Sequence, residues 1–253
     1  MTAFEAVALI LAGMAAGTLN TVVGSGSLIT FPVLLAMGYP PVLANVTNNV
    51  GVLPGSLSGA WAYREHLHGQ GKLLALLITC AGAGGVLGAV LLLNLPASVF
   101  DAVVPALILF ACLLVVLGPL MKNRLAGRRG PTGASGDRLA TIGPGAFMTA
   151  VYGGYFGAGQ GIILLSLLSV GMSGTLHRSN AFKNVLGASA NIFAAIVFLS
   201  ATHIAWAAAG FIAVGAVIGG QIGGRLGKRL PPSAYRLIIV AVGITAITYF
   251  YIK

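Results

Sequence analysis

Apolar residues in this chain run in long blocks, and the short stretches between blocks hold most of the Lys, Arg and Pro. Ten blocks can be marked, at 4–23, 25–37, 42–62, 73–93, 99–121, 140–156, 160–171, 181–203, 206–228 and 233–252. Most reach the roughly twenty residues a helix needs to cross the hydrocarbon core of a bilayer. The blocks 25–37 and 160–171 fall short, and each follows a glycine-rich break. A short apolar block after such a break reads as a half-helix or a re-entrant element. No Lys or Arg precedes the first block, and no convincing small-residue cleavage pattern follows it, so it is expected to stay in the mature protein. The expected fold class is an all-α integral membrane protein.

Composition agrees. At 57% hydrophobic and 7% charged residues, the apolar surface is too large for a water-soluble core, and the lipid bilayer is the implied solvent. The net charge of +10 would suggest nucleic acid in a soluble protein. Here the basic residues lie mainly between the apolar blocks, which makes them a topology signal and excludes nucleic acid as the partner. The longest polar stretch, 122–139, contains Lys122, Arg124, Arg128, Arg129 and Arg138 and divides the chain into a first membrane repeat at 1–121, a cytoplasmic linker at 122–139 and a second membrane repeat at 140–253. Cys80 and Cys112 lie inside apolar blocks with no partner at ligand spacing, and His66, His68, His177 and His203 fall at block ends, so no metal site and no cofactor is expected.

The halves repeat each other. At an offset of 135, Asn45 meets Asn180, Asn49 meets Asn184, Gly84-Gly85 meets Gly219-Gly220, Gly88 meets Gly223, and Leu95-Pro96 with Ser98 meets Leu230-Pro231 with Ser233. Upstream the register shifts by two, so that Gly24-Ser25-Gly26 meets Gly157-Ala158-Gly159 and Gly38 meets Gly171. Five segments per half is an odd number, so the second copy enters the membrane from the opposite side. With 122–139 placed in the cytoplasm, every Lys and Arg except Lys253 falls at a cytoplasmic end, and both termini face outward. That parity holds whether each short segment crosses or turns back.

Inverted repeats with discontinuous helices place substrate sites near the midplane, where the breaks meet. The breaks read Gly24-Ser25-Gly26-Ser27 and Gly157-Ala158-Gly159-Gln160-Gly161. Glycine lets the backbone turn sharply and approach a ligand, and the helix that restarts presents unpaired N–H groups suited to an anion. The alternative is that these glycines serve packing and kinks alone. Asn45, Asn48 and Asn49 in the first half answer to Asn180, Lys183 and Asn184 in the second. Polar faces of this kind point to a bundle interior, as a binding surface or as interhelical hydrogen bonds. Lys183 is the candidate counter-charge; the alternative is a side chain snorkelling to the interface. The expected substrate-binding set is Gly24, Ser25, Gly26, Ser27, Asn45, Asn48, Asn49, Gly157, Gly159, Gln160, Asn180, Lys183 and Asn184. The motifs Gly84-x3-Gly88 and Gly219-x3-Gly223 read as helix packing.

The stretch from Gly17 through Pro40, with its break followed by Ser27-Leu28-Ile29-Thr30-Phe31-Pro32, and the Thr47-Asn48 region resemble the sulfite exporter TauE/SafE family, also called the TSUP family. The second copy, Gly153 through Asn184, resembles it too, departing from the first where Leu165 and Phe182 replace Pro32 and Thr47. The resemblance implies a bacterial inner-membrane permease for sulfite, thiosulfate, organosulfonates or other small organic anions, with some members exporting and others importing. A homo-oligomer is compatible with it. The four acidic residues, Glu5, Glu65, Asp101 and Asp137, all lie in loops or near block ends, which speaks against a carboxylate proton relay at the midplane. Export of an anion by alternating access, favoured by the membrane potential, is therefore the expected activity, and an anion-selective channel or passive pore and an importer of other small organic anions are the rivals. An intramembrane enzyme is not expected: Gly133-Ala134-Ser135-Gly136 superficially matches a serine-protease motif but lies in the charged linker, with no buried His to partner it.

Overall fold

The computed structural model describes the backbone of residues 1–126, 138–226 and 241, with side chains to 117 in the first stretch and to 225 in the second. The described residues form α1 (Ala3–Val22), α2 (Ser27–Ala36), α3 (Pro41–Ala62), a 3-10 turn (Arg64–Leu67), α4 (Gly71–Asn94), α5 (Ala97–Ala126), α6 (Leu139–Tyr155), α7 (Gln160–Gly171), α8 (Leu176–Ala201) and α9 (Trp206–Leu226), with no strand among them. The expected tenth segment, 233–252, lies outside the described residues, as do Leu230, Pro231 and Ser233. Elsewhere the boundaries differ in two places. The Thr175 side chain accepts from the Arg178 N–H and caps α8, so that helix starts before the expected position 181. Helix α5 continues to Ala126, taking in the first residues of the expected linker.

Among the described residues, five helices, α1, α4, α5, α8 and α9, are long and apolar enough to cross a bilayer. Large apolar side chains cover the outside: Phe4 is 82% exposed, Met148 67%, Trp61 63% and Trp206 62%. Water would not tolerate that surface, whereas lipid does. Polar residues are inside. Helix α3 has 22 residues and owes its lower hydropathy to Asn45, Thr47, Asn48, Asn49, Ser56 and Ser58, all of them buried. It belongs at the centre of the bundle, where those groups find partners.

Both short helices turn back. The Arg138 N–H at the start of α6 donates to the Gly171 carbonyl at the end of α7, 2.9 Å away. On the other side, Met1 and Glu5 at the start of α1 share a surface recess with Met37, Gly38, Tyr39 and Pro40 at the end of α2. Each of α1–α2 and α6–α7 is therefore a hairpin that returns to the face it left. The tips meet: the Gly161 N–H donates to the Gly24 carbonyl at 3.0 Å.

Helix packing repeats across the halves. Helix α1 lies on α9 as α6 lies on α4, and α3 lies on α9 as α8 lies on α4. Close backbone approach makes this possible, because a Cβ on Gly219 would sit 2.0 Å from the Met14 carbonyl oxygen and one on Gly84 2.3 Å from that of Phe147. Met14 and Phe147 are counterparts in the shifted register, just as Gly84 and Gly219 are in the main one. The same exchange recurs where Gly220 meets Gly55 and Gly85 meets Ala190. Helices that touch backbone to backbone gain dispersion contacts that side chains would prevent, which is the main source of helix association in lipid.

A cavity between the hairpin tips

A polar cavity of about 30 Å³ lies where the hairpin tips meet the middle of α3 and α8. That volume is room for a water or two. Gly24 and Gly157 shape the tips, with φ of 89° and 81°, a left-handed conformation that only glycine takes up cheaply. Gly24 also sits against Gly161, where a Cβ on either residue would come within 2.4 Å of the other's Cα.

Of the expected binding residues, Gly24 and Ser27 from the first break, Asn48 and Asn49 from α3, Gly157 and Gln160 from the second break, and Lys183 and Asn184 from α8 line the cavity. The others stand behind the wall. Asn45 Nδ2 donates to the Tyr155 carbonyl at 2.9 Å, and Asn180 Nδ2 to the Thr21 carbonyl at 3.5 Å. Each of these matched asparagines thus caps the last turn of the opposite half's entry helix, where backbone carbonyls lack an intrahelical donor. Gly26 packs on the Ala16 carbonyl and Gly159 on Ala111 and Leu114 of α5. Ser25 is buried, with its hydroxyl unpartnered.

Lys183 does not snorkel. It is 2% exposed, and its ammonium donates to the carbonyls of Thr21 at 2.9 Å and Asn20 at 3.1 Å, at the C-terminal end of α1. The negative end of the helix dipole and two carbonyl bonds hold the charge there. Among the described residues, no carboxylate lines the cavity. Taking an ammonium out of water costs several kcal/mol even after relaxation, and neutral carbonyls leave its net charge in place. When protonated, Lys183 makes the site electropositive.

The N–H groups at the tips are largely spent on backbone. Those of Gln160, Gly161 and Ile162 go to Gly157, Gly24 and Gly159, and those of Leu28 and Ile29 go to Ser25 and Gly26. Donors for a ligand are therefore mainly side chains. Thr30 Oγ1 donates to Asn48 Oδ1, which leaves the Asn48 amide N–H groups to the wall. Gln160 Nε2 and Asn49 Oδ1 are buried without a partner.

Sequence reasoning missed Asn20, Ser56 and Asn191 in the wall. Asn20 Nδ2 donates to Ser56 Oγ at 2.8 Å and Asn49 Nδ2 to Asn191 Oδ1 at 3.5 Å. A signal existed: Ser56 follows Asn49, and Asn191 follows Asn184, by seven residues each, two turns along the same helix face, and the two are counterparts in the main register.

Phe156 closes the wall near α5. Its ring meets Phe31 edge-on at 5.3 Å, Phe100 at 6.2 Å and Tyr152 at 6.4 Å, and Phe100 in turn meets Tyr155 at 5.6 Å.

Comparison with known proteins agrees with this architecture. The family model of the sulfite exporter TauE/SafE matches residues 9–250. A probable membrane transporter protein of a Sinorhizobium species, ORF9, is 30% identical over 207 residues, covering 78% of this chain and 74% of that protein. A probable membrane transporter protein of Haemophilus influenzae is 26% identical over 210 residues, covering 81% and 78%. The probable membrane transporter protein YfcA of Escherichia coli K12 is 28% identical over 205 residues, covering 80% and 73%. No solved structure matches the chain. This multi-pass membrane protein belongs to the sulfite exporter TauE/SafE family.

Proposed function

We propose that this chain is a secondary transporter of a small sulfur-containing anion such as sulfite, thiosulfate or an organosulfonate, working by alternating access and without enzymatic chemistry. The observation that carries the reading is Lys183: an ammonium 2% exposed, at the meeting point of two hairpin tips, in a cavity with no acidic residue among its described lining. A buried charge so placed seeks an anion. The printed names of the relatives support transport, and the family name supports a sulfur oxyanion.

The small volume of the cavity supports a carrier over a wide pore. Parting of the Gly24 to Gly161 contact would enlarge the space around Lys183, which is the kind of movement alternating access requires. The repeated, exchanged packing supports two halves of opposite orientation. Arg64, Lys72, Arg138, Arg178 and Arg225 stand at or beside helix ends on the side from which α6 starts, which supports a cytoplasmic linker, an outward-facing N-terminus and a bacterial inner-membrane location.

An inside-negative potential drives an anion outward by about 2.3 kcal/mol per charge per 100 mV, so export needs no coupling ion. Efflux of labelled sulfite from proteoliposomes, with the potential set by a potassium gradient and valinomycin, is expected to quicken as the interior becomes more negative. Efflux indifferent to potential contradicts electrogenic export.

A further inference from the structure

Asn48 is the counterpart of Lys183 in the main register, and both line the cavity, one from α3 and the other from α8. Their needs differ. An ammonium donates in every direction, whereas a carboxamide has a donor end and an acceptor end, and a neighbour must settle which of them faces a ligand. Thr30 is that neighbour. It is fully buried on α2, and its hydroxyl donates to Asn48 Oδ1. In the shifted register the counterpart of Thr30 is Ile163, which has no hydroxyl, so the orienting group is present in the half that carries the amide and missing from the half that carries the ammonium.

The Asn48 amide nitrogen has no acceptor among the described residues. It is not sealed in the wall either: Gln160 Nε2 and Asn49 Oδ1 are enclosed without partners, and Asn48 Nδ2 is not among such atoms. It therefore opens on the cavity that its residue lines. A donor left there is unsatisfied until an acceptor arrives. Sulfite, thiosulfate and organosulfonates all present sulfur-bound oxygens that carry lone pairs. We infer that Thr30 is a positioning residue for the transported anion: by holding Asn48 Oδ1 it turns the Asn48 amide N–H groups to the cavity, where they donate to those shared oxygens beside the Lys183 ammonium. Without the hydroxyl the carboxamide can turn over and present its oxygen, an acceptor confronting an anion in a low dielectric. This deepens the transport reading and rests on it.

The test is saturable flux of labelled sulfite, thiosulfate and methanesulfonate into proteoliposomes holding the wild-type protein or variants at Thr30 and Asn48. Thr30→Val and Thr30→Ala both remove the hydroxyl, one keeping the shape of the side chain and the other avoiding any misfit, so either reads the same loss. KM is expected to rise by about tenfold for each anion the wild type carries, the weight of one hydrogen bond to a charged group, while the maximal rate changes by about twofold at most. Thr30→Ser keeps a hydroxyl and is expected to restore KM. In the Asn48→Ala background, Thr30→Val is expected to add nothing further, because the hydroxyl acts through Asn48. Wild-type KM in the variants without the hydroxyl overturns the inference and leaves an anion transporter. So does simple addition of the Thr30→Val and Asn48→Ala effects, which would make Thr30 a packing residue, and so does a rise in KM confined to one of several transported anions. Absence of saturable flux for all of these anions in folded wild-type protein removes the transport reading and the inference with it.

Discussion

The ammonium of Lys183 lies 2.9 Å from the backbone carbonyl of Thr21, tying the centre of one half to the hairpin tip of the other. Asn180 and Asn184 reach the same carbonyl, each at 3.5 Å. Three side chains from one face of α8 therefore converge on the end of α1. The only charge among them is the one that also faces the cavity.

Replacing that charge separates stability from function. Lys183→Met keeps the stem volume and removes a buried ammonium, a change that is commonly neutral or stabilising because the desolvation cost disappears. Asn180 and Asn184 still serve the Thr21 carbonyl. The thermal midpoint in detergent is expected to be unchanged or higher, while anion flux falls by at least tenfold.

The tip contact tolerates no side chain. Gly24→Ala would place Cβ 2.3 Å from the Gly161 Cα at a φ of 89°, so crowding and backbone strain act together. Each is a cost of about 1 to 3 kcal/mol. Reduced yield of folded protein and a clearly lower thermal midpoint are expected. Gly187→Ala is the control, since Gly187 lines the same cavity yet a Cβ there meets nothing within 4 Å. It should fold normally.

Pseudo-symmetry makes a paired prediction. Gly84→Ala and Gly219→Ala push Cβ atoms against the counterpart carbonyls of Phe147 and Met14, at 2.3 and 2.0 Å. Helix backbones cannot yield cheaply, and about 1 to 3 kcal/mol of overpacking cost is expected at each site. Thermal unfolding should show similar losses for the two variants. A loss at one and none at the other would mean that the repeat does not extend to energetics.

Phe156→Ala opens the aromatic side of the cavity. Losing the edge-on contact with Phe31 and the neighbouring rings removes about 3 to 5 kcal/mol of packing if the site is treated as core. Part of that loss is offset where the ring already faces open space. The variant is expected to leak anion without saturation, read as a linear component of flux against concentration.

Much of this was legible in the sequence because lipid imposes simple rules. Nine of the ten apolar blocks recur as helices in the described residues, and the glycine breaks mark the hairpin tips. Repeat matching found Asn49, Asn184 and Lys183, all in the cavity wall. It did not separate wall from support. Asn45 and Asn180 share the pattern of their neighbours, yet they cap helix ends, because hairpin tips buried away from water need donors for their last carbonyls. The depth of Lys183 was hidden for a different reason. Apolarity alone starts its helix at 181, whereas the Thr175 cap starts it at Leu176, which puts Lys183 about 10 Å into the helix. Asn20, Ser56 and Asn191 needed contacts between halves to be recognised.

The most direct test of the central claim is saturable uptake of radiolabelled sulfite by proteoliposomes holding the purified protein, compared with Lys183→Met at equal reconstitution. Saturable flux in the wild type that drops to the level of empty vesicles in the folded variant is the predicted result. Saturable flux that persists undiminished without the Lys183 charge would contradict an anion site built around it.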